Sequence, residues 1–125
     1  MQVCTLLKDI TPGSDTTKPS LSRDVEGSHM YFNKRVARTR VSSWRSDCTV
    51  LGTTPFADVE VAGEIRAIDN VVYFQSLDPA GTGDGNEAWR SDGTASGTVL
   101  LANVARGSES SAPADFVAHA GKVFF

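Results

Sequence analysis

The chain has 125 residues, 22% of them charged and 40% hydrophobic, with two cysteines and a formal net charge of −3. That hydrophobic content is too high, and the net charge too low, for a wholly disordered chain. No apolar run reaches the ~18 residues that cross a bilayer, no Cys/His cluster has zinc-site spacing, and the acidic balance argues against nucleic acid as a partner.

Met1-Gln2-Val3-Cys4 opens the chain without the basic start and apolar core of a secretory signal. The sequence is therefore read either as cytosolic or as a piece of a longer chain. Cys4 and Cys48 form no CxxC motif and read as two separate free thiols. A bridge between them requires α-carbons within about 7 Å. Next comes Leu6-Leu7-Lys8-Asp9-Ile10-Thr11-Pro12-Gly13-Ser14, then the apolar-aromatic triplet Met30-Tyr31-Phe32 with His29 before it. Lys34, Arg35, Arg38, Arg40 and Arg45 crowd the following stretch. Residues 1–50 carry 8 basic and 5 acidic groups, whereas residues 51–125 carry 4 and 10. Such a cluster can attract phosphate or sulfated glycans. The competing reading is a solvated loop, or one that complements the acidic loop of a neighbouring unit.

Trp44-Arg45-Ser46-Asp47-Cys48-Thr49 leads to Gly52-Thr53, after which Phe56 to Gly63 is short and acidic. Ile65 to Ile68, a turn at Asp69-Asn70 and Val71-Val72-Tyr73-Phe74 predict a hairpin, because the last run is β-branched and aromatic. Gln75 to Asn86 holds Pro79, Gly81, Gly83 and Gly85 and predicts a loop. Asp78, Asp84, Asn86, Glu87 and Asp92 make this region acidic. Calcium prefers such oxygen donors, with Asp84 and Glu87 the first candidates, but the spacing of an EF-hand is missing. A solvated loop with Asx-turns is the simpler account. Glu87-Ala88-Trp89-Arg90 predicts a strand, and Ser91-Asp92-Gly93-Thr94 a tight turn in which Gly93 is free to take positive φ. Val99 to Val104 predicts another strand, and 106–113 a loop. Phe116 to His119, turning at Ala120-Gly121 into Val123-Phe124-Phe125, predicts a second hairpin like that at 65–74. The apolar runs Val71–Phe74 and Val99–Leu101 lack alternation, which predicts strands covered on both faces.

Internal repetition organises these elements. Trp44–Thr53 and Trp89–Thr98 lie 45 residues apart and agree at seven of ten positions. Leu6–Ser14 resembles Leu100–Ser108 at an offset of 94, and the three aromatic triplets are spaced by 42 and 51 residues. A period of about 47 residues without helical pattern is what propeller blades produce. The expected fold is all-β, with antiparallel four-stranded repeats in a partial propeller-like array. Residues 1–32 are read as a partial repeat, 33–74 as a degenerate one and 75–125 as the best preserved.

EAWRSDGTASGTVLLANV, Glu87–Val104, resembles the bacterial repeat written ELWxSDGTxxGTxxVxDI, and Leu6–Ser14 is similar to its continuation, VxDIxPGS. The motif residues are Trp44, Asp47, Trp89, Ser91, Asp92, Gly93, Thr94, Gly97 and Thr98. In the second copy Cys48 replaces the turn glycine. A non-glycine residue there disfavours positive φ, which marks that copy as degenerate in turn geometry and stability. The resemblance implies an extracellular or cell-surface setting, further repeats of the same or another chain as partners, and no catalytic residues or obligatory cofactor. The expected function is a non-catalytic structural or interaction module of a larger protein. The alternative is the propeller part of a carbohydrate-binding or carbohydrate-active protein. His29 and His119 have no nucleophile to serve and read as structural or surface residues.

Overall fold

Residues 10, 19–26, 29–35, 41–57, 59, 61–76, 85–105 and 107–125 are described by a computed structural model. Among them there is no helix, and so none long and apolar enough to cross a membrane. The fold is all-β and antiparallel, and no sheet closes into a barrel.

The first sheet joins β1 (Pro19–Glu26), β2 (His29–Arg35), β3 (Val41–Ser46) and β4 (Thr54–Ala57) in chain order. The second joins β5 (Val61–Ile68), β6 (Val71–Ser76), β7 (Glu87–Ser91) and β8 (Val99–Ala102), also in chain order. A two-stranded ribbon, β9 (Val117–His119) with β10 (Lys122–Phe124), follows. The expected hairpins at 65–74 and 116–125 are present. β5 starts four residues before the expected Ile65.

The two sheets share their register in detail. Trp44 faces Phe32 and Pro55, and Trp89 faces Phe74 and Leu100. Arg45 faces Tyr31 and Thr54, and Arg90 faces Tyr73 and Val99. Each fourth strand carries one extra residue opposite the step into the tryptophan: Phe56 opposite Ser43–Trp44 and Leu101 opposite Ala88–Trp89. Such an irregularity re-aims the side chains of the outer strand.

The core lies between the sheets. Tyr31 and Phe56 from the first meet Ile65, Val72, Phe74 and Trp89 from the second. Phe56 stands edge-on to both Tyr31, at 5.7 Å between centroids, and Phe74, at 6.3 Å. This is the arrangement that ring quadrupoles favour. Val72 and Phe74 point into the core while Val71 and Tyr73 turn to the far face, where Tyr73 lies 6.0 Å from Phe116. One expectation is corrected here. Val99 and Leu101 are 39% and 37% exposed, so the apolar run of β8 is not covered on both faces. Phe116, just before β9, reaches Tyr73, and neither β9 nor β10 pairs with β8.

Candidate functional site

The repeated Ser-Asp-x-Thr-x-x-Gly-Thr segment forms the same hydrogen-bonded turn twice. After β7, the Asp92 carboxylate accepts from the Thr94 amide at 2.9 Å and from the Thr94 hydroxyl at 2.6 Å. The Thr94 hydroxyl oxygen accepts from the Gly97 amide at 3.0 Å. The Ser91 hydroxyl accepts from the Gly93 amide at 3.0 Å and pairs with the Thr98 hydroxyl at 2.8 Å. The Thr98 hydroxyl also donates to the Thr94 carbonyl at 2.7 Å. After β3 the same bonds recur through Asp47, Thr49, Gly52, Ser46 and Thr53, at 2.6 to 3.1 Å.

Each residue type follows from this geometry. Aspartate closes an Asx-turn by reaching the amide two residues on. Threonine supplies a hydroxyl that donates to the carboxylate and accepts from the next amide. The glycine at 97 is steric, because a Cβ there would lie 2.0 Å from the Asp92 carboxylate oxygen. Gly52 stands in the same relation to Asp47, at 1.9 Å. Hydrogen bonds from Thr94, hydroxyl first and amide second, hold the Asp92 carboxyl below its ordinary value of 3.8. Thr49 does the same for Asp47.

The turn glycine at 93 takes φ of 88°, as its position demands. Cys48 takes φ of 67° in the second copy, on the first sheet. The cysteine therefore does not change the turn: the hydrogen bonds hold a non-glycine residue in the left-handed region, at about 1–2 kcal/mol of backbone strain. Cys48 is exposed and free. Cys4 lies outside the described residues.

The turn of the second sheet is also gripped by the first. The Arg45 guanidinium fills the space beside Gly93, with one nitrogen 2.6 Å from where a Cβ would stand, and its charge further lowers the Asp92 carboxyl. The Thr98 hydroxyl touches the Phe56 carbonyl at 3.5 Å.

The basic stretch is divided. Lys34 is buried, donates to the Ile10 carbonyl and lies 5.3 Å from the Trp44 ring centre. Arg45 reaches the neighbouring turn, while the side chains of Arg35, Arg38 and Arg40 lie outside the described residues. Trp89 belongs to the core and Trp44 is half-buried, its indole N–H donating to the Ser42 hydroxyl at 2.6 Å. His29 is half-buried beside Tyr31, and His119 is exposed.

Of the calcium candidates, Asp84 lies outside the described residues, as does Asp78. Glu87 is only 1% exposed. One of its oxygens accepts from the Val104 amide at 2.9 Å and from the Ser111 hydroxyl at 2.8 Å. Burial pushes this carboxyl up, but hydrogen bonds from Val104 and Ser111 outweigh it and keep it below 4.5. The Asn86 carbonyl accepts from the Ser111 and Ala112 amides at 3.1 and 3.3 Å. Glu87 and Asn86 thus anchor the segment that leads from β8 to β9. Among the described residues no three His, Cys, Asp or Glu side chains are grouped to hold a metal ion.

Two outcomes are expected. Cys48→Gly relieves the left-handed strain but gives the unfolded chain more freedom, so it stabilises by about 0.5–1 kcal/mol net, read from urea unfolding. Acid weakens both turns: a carboxylate whose pKa is lowered on folding adds stability above its unfolded value and loses it as pH falls through the folded one. Amide-exchange protection at Thr49 and Thr94 is therefore expected to hold above the ordinary value of 3.8 and to decline as pH falls through the lower folded values. Comparison with protein-family models, with curated proteins and with solved structures found no match to this chain.

Proposed function

We propose that the chain is a non-catalytic run of propeller-like sheet repeats that serves as a structural or interaction module of a larger protein. The observation that carries this is the interlock between the sheets, in which Phe56 and Arg45 of one sheet seat on the core and turn of the next. Two sheets with one register and one turn chemistry, followed by a hairpin that seats Phe116 on Tyr73, support stacking as the organising rule. The polar side chains of the motif support it too. Ser46, Asp47 and Thr49, like Ser91, Asp92 and Thr94, direct side-chain hydrogen bonds to their own turns. The resemblance to bacterial ELWxSDGT repeats points the same way and adds a surface or secreted setting.

In a stacked array, stability grows with each interface added. The 125-residue chain is expected to melt below about 45 °C, low in the range of ordinary domains. A version with residues 75–125 repeated after Phe125 is expected to melt at least about 5 °C higher. Cooperative melting of the original chain near 60 °C, with no gain on extension, would overturn the proposal.

A further inference from the structure

The segment 104–112, between β8 and β9, is held to the second sheet by hydrogen bonds rather than by apolar burial. The Val104 side chain is 61% exposed, whereas Val59, 45 positions earlier and likewise just past a fourth strand, is buried in the core. What holds the segment is Gly85-Asn86-Glu87 at the start of β7. The Gly85 amide donates to the Gly107 carbonyl at 3.2 Å, and the Asn86 carbonyl accepts from the Ser111 and Ala112 amides. One Glu87 oxygen accepts from the Val104 amide and the Ser111 hydroxyl. The fit is close, because a Cβ on Gly85 would lie 2.3 Å from the Glu109 carbonyl oxygen.

Glu87 has a second donor within its own strand. Side chains two positions apart on a strand share a face, so Glu87 and Trp89 lie side by side on β7. The equivalent pair in the first sheet is Ser42 and Trp44, each 45 positions earlier, and there the Trp44 indole N–H donates to the Ser42 hydroxyl at 2.6 Å. In the second sheet that bond is not made. The Trp89 indole N–H and the other Glu87 oxygen, Oε1, are both buried, and neither has a hydrogen-bond partner among the described residues. Leaving a buried donor and a buried acceptor unpaired is costly.

Two sets of donors thus compete for one carboxylate. We infer that Glu87 is a two-position latch: fastened to Val104 and Ser111 it holds the segment 104–112 on the second sheet, and turned to the Trp89 indole it lets that segment lift while the sheet stays folded. The released position repeats the bond of Trp44 with Ser42, so pairing the stranded indole N–H offsets the loss of the linker bonds. Local opening also requires few buried apolar contacts on the moving part. Val104 and residues 107–110 are all exposed.

Amide hydrogen exchange and the two indole N–H NMR signals of the full chain read both positions. In the parent chain the amides of Val104, Ser111 and Ala112 are expected to exchange together, at least about tenfold faster than those of β6. Two variants unfasten the segment by different means. Ser111→Ala removes one of its donors to Glu87, and Gly85→Ala sets a Cβ against its backbone while leaving every hydrogen-bonding side chain in place. Each is expected to speed exchange at Val104 and Ala112 at least about fivefold and to leave the turn amide of Thr94 protected, which shows the sheet intact. Each is also expected to move the Trp89 indole signal downfield, towards a hydrogen-bonded position, while that of Trp44 stays in place. A Trp89 signal that does not move as the linker amides lose protection would overturn the latch. So would linker amides that exchange no faster than those of β6, or loss of Thr94 protection in both variants, because the segment would then not open apart from its sheet.

Discussion

Phe56 is the point on which the arrangement turns. It sits on the short outer strand of the first sheet, yet its ring is buried between Tyr31 of its own sheet and Phe74 of the next. A four-stranded meander buries little apolar surface by itself, because each of its faces needs a second layer. The aromatic contact supplies that layer. It also explains the irregular register before Trp44, which lets β4 aim Phe56 at the neighbouring sheet rather than along its own row of paired residues.

The polar turns act at the other end of the same interface. Asp92 and Thr94 hold the connection after β7 in one shape, and that shape presents Gly93 to Arg45. The motif is thus local in its hydrogen bonds and long-range in its consequence. The turn of the first sheet keeps the Asp–Thr, Thr–Gly and Ser–Thr bonds while carrying Cys48 in place of the glycine. Its turn survives because the six hydrogen bonds within Ser46–Thr53 outweigh the strain of a single left-handed residue. What changes is the space in front of the turn. The second sheet's turn receives Arg45 beside Gly93, whereas the first sheet's turn presents the exposed Cys48 side chain.

Much of this was legible in the sequence, and the parts that were not share a cause. The strands at Val71–Ser76 and Glu87–Ser91, the all-β class and the Ser-Asp turns follow from residue type and spacing within short windows. The role of Arg45 does not, because its partner turn lies 47–48 residues further along the chain and charge alone made it one member of a basic stretch. Glu87 read as an oxygen donor for a cation, whereas folding turns its carboxylate towards backbone and hydroxyl donors beyond β8. The run Val99–Leu101 read as covered on both faces; its exposure depends on which strands lie beyond it, which no local pattern encodes. Cys48 shows the reverse limit, in which a residue with poor left-handed preference is held there by neighbours of the right chemistry.

The central claim is that burial between sheets, rather than within one, holds the fold together, and a matched pair of truncations tests it most directly. Phe56 and Leu101 occupy corresponding places in β4 and β8, the first buried and the second 37% exposed. Urea unfolding of the two variants should separate them widely. Phe56→Ala is expected to cost about 3–5 kcal/mol, or to unfold the chain outright, and Leu101→Ala to cost only about 1 kcal/mol. Equal and small losses at both positions would contradict the account.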